Sequence, residues 1–154
     1  MCPLKTTCKG LLQGIAETLP IKSTKFKTEF LFRNVAIVLA DDKLLVKRGK
    51  PGKIMSGLYE FPFMETKEKT DNSEIDQSHF LNIPLIKKMD LKEVSHSFTR
   101  YKATLNPAVF TAQEAKSVPD HEWLSIDELN QLAFSSGHKR LFDSVKIMIS
   151  DDIF

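Results

Sequence analysis

The sequence is poor in cysteine, glycine and tryptophan, with two, six and one of them in 154 residues. Both cysteines, Cys2 and Cys8, fall at the start, so no disulfide framework staples the rest of the chain. No apolar run reaches the roughly 18 residues of a membrane-spanning helix. The first apolar stretch is short and broken by Lys5 and Lys9, unlike a secretory leader. No fixed-period repeat is present, which excludes solenoids and propellers. Gly49 and Gly52 lack the third glycine of a dinucleotide fingerprint and the Lys-Ser/Thr of a phosphate loop. The four histidines, His79, His96, His121 and His138, lie in no recognisable nucleophile motif.

What is present describes one domain with enough apolar material for a core: 42% of residues are hydrophobic and 27% charged. The formal net charge of +2 conceals an asymmetry. Residues 1–53 carry 11 Lys/Arg against 4 Asp/Glu, and residues 54–154 carry 11 against 16. A chain whose cysteines cluster at one end reads as part of something longer. The C-x5-C pair supplies two thiolates where an iron–sulfur cluster or zinc site needs four ligands. A small disulfide loop and free thiols both stay open, with free thiols preferred.

Leu11, Leu12 and Ile15 allow a short helix in 8–18, ended by Pro20. Residues 21–28 read as a basic connector. Residues 30–39 and 43–47 are β-branched and aromatic, and with Asp41-Asp42 between them they predict a hairpin. Residues 49–57 predict a loop, and 58–62 a short strand closed by Pro62. The polar stretch 64–77 reads as either surface helix or open loop. Two strands are expected at 91–98 and 101–111, the second an edge or bulged strand because of Pro107. A further strand ends at Trp123-Leu124. Ser125 and Glu128 form a capping box for a helix from Ile126. Ser136 is the expected cap of a final amphipathic helix bearing Leu141, Val145, Ile147 and Met148. This order predicts an α+β domain with a mixed or antiparallel sheet flanked by short helices.

The segment 57–65 (GLYEFPFME) invites comparison with Nudix hydrolases. Their signature puts an R-E…E-E cluster on one helical face, where the carboxylates hold hard cations against a pyrophosphate. Here Phe63 stands where a glutamate is required, and Glu68, Glu74 and Asp76 come without a paired glutamate or an arginine. Metal-dependent hydrolysis of that type is not expected.

Five segments, in order, resemble adenine DNA glycosylases of the MutY type. Cys2-Pro3 through Cys8 is similar to the end of their C-x6-C-x2-C-x5-C iron–sulfur loop, and Leu19-Pro20-Ile21-Lys22 to the LPVK that leaves it. Lys47-Arg48 and the segment Gly57 to Pro62 resemble KRP…GLWEFP. His96 to Arg100 resembles HTFSH, and Trp123 through Lys139 resembles W…EL…AFPSAHRK.

The resemblance covers nearly the whole chain and implies a Nudix-like C-terminal domain. It divides the chain into the end of the cluster loop (1–18), a basic connector (19–28) and the lesion-recognition domain (29–154). In that family a separate N-terminal helical domain removes adenine mispaired with 8-oxoguanine, and the C-terminal domain recognises the oxidised guanine. Catalytic residues are therefore not expected in this piece. Cys2 and Cys8 would be two of the four ligands of a 4Fe-4S cluster in the parent enzyme, with no cluster expected here. The implied partners are duplex DNA containing 8-oxoguanine:adenine and the N-terminal catalytic domain, with no membrane and a monomeric state. The implied location is the bacterial cytoplasm at the nucleoid, or a eukaryotic nucleus.

Oxidation at C8 turns guanine N7 from an acceptor into an N–H donor, so a hydroxyl acceptor can separate the two bases by about 1–3 kcal/mol. By resemblance, Thr99 supplies that hydroxyl and Phe98 the aromatic wedge. Arg100 replaces the family's usual histidine and can reach a phosphate or a base edge. Without the resemblance, Phe98 faces the core and Thr99-Arg100 is a plain turn. Lys22, Lys25 and Lys27 are candidates for phosphate contacts or a solvated linker. His96 and Glu60 read as structural, and Tyr59 and Phe61 as core. The competing function is a divergent Nudix pyrophosphatase acting on nucleotides. A protein-interaction module is a third class, with no motif for it.

Overall fold

The computed structural model describes residues 3–20, 27–53, 55–66, 68–69 and 80–151. A short helix α1 (Lys9–Leu12) and a 3-10 turn (Ala16–Thr18) precede eight strands: β1 (Glu29–Ala40), β2 (Lys43–Arg48), β3 (Tyr59–Glu60), β4 (Phe63–Thr66), β5 (Ile86–Asp90), β6 (Val94–Phe98), β7 (Tyr101–Thr111) and β8 (Glu122–Ser125). Helices α2 (Ile126–Asn130) and α3 (Ser136–Ser150) follow. The architecture is α+β with a mixed sheet, as the sequence predicts.

The centre of the sheet is a parallel pair: β1 and β7 run in register from Glu29↔Tyr101 to Leu39↔Thr111. Parallel strands need both faces covered, and the period-2 alternation of β1 provides for this. Val35 and Ile37 enter a core with Leu105, Phe61, Leu141, Phe142 and Val145, whereas Ala36 and Val38 enter a second with Leu81, Ile83 and Val118. The β1–β2 hairpin closes through Asp41 and Asp42 at φ of 48° and 57°. Aspartate tolerates this left-handed backbone, and such a turn matches the strand twist.

Six local expectations change. β7 is central rather than an edge, despite Pro107. Its outer side pairs with β6 up to Leu105 and with β5 from Ala108, so the missing N–H falls in the gap between them, where the Pro107 carbonyl accepts from Leu91 N–H at 2.9 Å. Residues 63–66 form β4 against β1 instead of opening a polar helix or loop. β5 was not expected, because IKKMD is almost wholly exposed and shows no alternation; the strand expected at 91–98 starts at Val94. Ser135, not Ser136, is the N-cap residue of α3. Ile147 lies off the buried stripe of that helix at 63% exposure. The capping box forms as read: Glu128 N–H donates to Ser125 Oγ, and Ser125 N–H donates to Glu128 Oε2 at 2.8 Å.

Candidate nucleic-acid interface

The β6–β7 hairpin brings Phe98, Thr99 and Arg100 to one tip. Phe98 pairs with Tyr101, leaving Thr99-Arg100 as a two-residue turn. Thr99 is exposed and holds φ at +48°, a region that disfavours β-branched side chains. Phe98 is half-buried, with ring centroids 5.2 Å from His96 and 5.6 Å from Tyr101. Arg100 does not swing free: its Nε is 3.2 Å from Glu29 Oε1, its NH2 donates to the Tyr101 hydroxyl at 3.0 Å, and its carbonyl accepts from Glu29 N–H at 3.0 Å. The turn is therefore tied to the first residue of β1.

Beneath the tip, β6 is fixed to α3. His96 is buried, with Nδ1 3.3 Å from Ser136 Oγ, and Arg140 donates to the Ser95 carbonyl at 3.3 Å. Burial, then the cations Arg33 and Arg140, lower the His96 pKa from its ordinary value. The backbone of Gly137 lies so close that a Cβ there would fall 2.7 Å from a His96 ring carbon.

Lys27 is exposed just before β1, while Lys22, Lys25 and Cys2 lie outside the described residues. Cys8 is a free, half-buried thiol preceding α1. Among the described residues no three His, Cys, Asp or Glu gather into a metal-binding set. Cys8 alone makes no cluster site.

Sequence reasoning missed a second feature, a basic cleft of about 350 Å³ lined by Arg33, Lys47, Arg48, Lys50 and Lys53 with Phe63 and Glu60 at its floor. The available signal was a lone arginine inside the apolar run FLFRNVAIVL, together with the basic first third. Arg33 is only 12% exposed and reaches Glu65 Oε2 at 3.0 Å and Glu60 Oε1 at 3.7 Å. Its guanidinium also lies 4.3 Å from the Phe63 centroid and 5.9 Å from that of Phe98, so one side chain touches both cleft and hairpin. Glu60 is buried, accepts from Ser135 Oγ at 3.3 Å, and has its pKa raised mainly by burial. Lys47, across the strand pair from Glu60, stands 3.6 Å above Phe63, and burial lowers its pKa. Glu65, at the end of the segment 57–65, is committed to Arg33. Glu68 is exposed, and Glu74 and Asp76 lie outside the described residues.

The fold recurs in known structures. The E. coli ORF135 protein superposes with a TM-score of 0.59 at 15% identity, over 80% of this chain and 94% of that one. The C-terminal domain of mouse MUTYH, solved in complex with human PCNA, gives 0.58 at 20% identity, over 78% and 90%. The MutT protein of Methanosarcina mazei Go1 gives 0.58 at 12%, over 78% and 95%. At these identities the likeness is one of fold. Residues 34–144, from the buried Asn34 of β1 into α3, match the family model of the NUDIX domain. The chain belongs to the NUDIX domain family.

Proposed function

We propose that this domain reads 8-oxoguanine opposite mispaired adenine as the non-catalytic C-terminal part of a MutY-type adenine DNA glycosylase. The observation that carries the reading is the hairpin tip: an exposed Thr99 hydroxyl beside the half-buried Phe98 ring, on a turn held by Arg100 and Glu29. A hydroxyl on a fixed turn can accept from the lesion's N7–H, and a ring beside it can support a distorted base step. A MUTYH C-terminal domain among the structural neighbours is consistent with this role.

In this reading residues 1–18 complete the parent's cluster loop and 19–28 link it to the reading domain. The parent is the hydrolase, its 4Fe-4S cluster lies outside the reading domain, and Lys22, Lys25 and Lys27 follow the phosphate backbone. Nuclear magnetic resonance titration with 8-oxoguanine:adenine and guanine:adenine duplexes tests the proposal. Shifts around Phe98 to Arg100 that are larger for the lesion duplex support it, and equal shifts sink it. Binding should weaken steeply with salt, since phosphate contacts release counterions.

The basic cleft favours one second reading, a nucleotide pyrophosphatase of the same family, because five cations around 350 Å³ suit a polyphosphate. Magnesium-dependent hydrolysis of nucleoside triphosphates, lost in E65Q, E68Q or E74Q, would establish it.

A further inference from the structure

The cleft holds a lysine in an uncommon setting. Lys47 leaves the end of β2 half-buried, its Nζ 3.6 Å from the centre of the Phe63 ring. Glu60 stands opposite it on β3 and Glu65 is close enough to act on it, yet both carboxylates ion-pair with Arg33. The remaining wall is cationic: Arg48 and Lys53 are exposed at the rim, and Lys50 is held by Asp120 at 2.7 Å. Burial lowers the Lys47 pKa against the pull of Glu60 and Glu65, with Arg33 and Lys50 adding smaller pushes in the same direction as burial. A neutral amine is a nucleophile toward carbonyl carbon. The cationic rim attracts a phosphate, and the cleft volume suits a ligand of small-metabolite size.

We propose that Lys47 is a covalent capture site for phosphate-bearing aldehydes, with Arg48 and Lys53 holding the phosphate while Nζ forms an imine. The Nζ lone pair attacks the carbonyl carbon, making the C–N bond as the carbonyl oxygen takes a proton. The nitrogen then releases a proton, and the carbinolamine hydroxyl leaves as water to give C=N. No oxidant or reductant is consumed. Glu60, whose carboxyl retains its proton above the ordinary range, faces Lys47 across the strand pair and can exchange the protons. Phosphate-bearing aldehydes occur both as free metabolites and as ring-opened abasic sugars in DNA, and this chemistry serves either source.

The test uses the full chain with pyridoxal 5′-phosphate, with phosphate-free pyridoxal, and with a duplex containing an abasic site. Each mixture is reduced with cyanoborohydride and mapped by peptide mass spectrometry. The expected result is an adduct at Lys47 at least tenfold above any other lysine, at least fivefold weaker without the phosphate, and suppressed by inorganic phosphate. K47R should abolish it, and R48Q/K53Q should erase the phosphate advantage while leaving the amine reactive. Trapping of the abasic duplex at Lys47 assigns the source to DNA, and trapping of the free compound alone assigns it to small molecules. Adducts spread evenly over exposed lysines, or an unmodified Lys47, overturn the proposal, and the wild-type peptide map shows this without any variant. Lesion preference at Phe98 to Arg100 is a separate readout, so either idea can fail alone.

Discussion

The Nδ1 atom of His138 accepts the backbone N–H of Phe61 at 3.0 Å, in a place where both side chains are fully buried. That bond assigns the tautomer: the proton must sit on Nε2, which faces Glu60 Oε1 at 3.8 Å. Burial first, then Arg33 and other cations, hold the His138 pKa well below its ordinary value, so the ring is neutral in the fold. His96 is depressed in the same direction.

A pH dependence of stability follows. The unfolded chain takes up protons on these two rings near the ordinary histidine value of 6.5, while the folded chain resists. Stability is thus fully present above about pH 6.5 and falls as pH drops toward the folded values. Thermal melts from pH 8 to pH 5 should show a declining midpoint. H138Q keeps an acceptor for Phe61 N–H but does not titrate, so its profile should be flatter. An unchanged profile would mean that His138 is already charged in the fold.

The Arg33–Glu60 pair predicts non-additive substitutions. Both side chains are about nine-tenths buried. Removing one partner of a buried pair typically costs about 3–5 kcal/mol because the other charge is stranded. R33M should destabilise by about that amount near neutral pH, and by less at acidic pH, where Glu60 protonates. R33M/E60Q should recover part of the loss. Urea titrations of the two singles and the double measure the coupling, and simple additivity would show that the pair carries no mutual stabilisation.

Much of this arrangement can be read from residue order. β1 and β2 declare themselves through β-branched runs and an Asp-Asp turn, and α2 through its capping box, because those signals are local. The parallel pairing of β1 with β7 is not local, and Pro107 argues against it until the gap between β5 and β6 is seen. The hairpin tip was legible because Phe98, Thr99 and Arg100 are consecutive. The cleft was not, since Arg33, Lys47, Lys53 and Glu60 come from three strands and a loop, and no sequence spacing links them.

Gly137 sets helix propensity against packing. Replacing a helical glycine with alanine ordinarily gains about 1 kcal/mol. Here the new Cβ would lie 2.7 Å from a His96 ring carbon and 2.8 Å from Leu105 Cδ1, both in the core. Overpacking a core costs about 1–3 kcal/mol, so packing should win and G137A should destabilise by up to about 2 kcal/mol. Shifted resonances at His96 and Phe98 should accompany the loss. A stabilised G137A would mean that the helix start moves away at little cost.

Thr99 separates backbone strain from hydroxyl chemistry. A β-branched residue at φ +48° stores strain of about 1–3 kcal/mol, which glycine would relieve at some cost in unfolded-chain entropy. T99G should therefore be neutral to about 1 kcal/mol stabilising, yet it removes the acceptor proposed for the lesion's N7–H. T99A removes the hydroxyl and keeps most of the strain, while T99S keeps the hydroxyl. If the hydroxyl reads the base, T99G and T99A should both lose about 5- to 150-fold of the preference for 8-oxoguanine over guanine duplexes, the equivalent of about 1–3 kcal/mol. T99S should retain the preference. Competition binding at fixed salt measures the ratio, and a preference that survives T99A would move lesion reading away from Thr99.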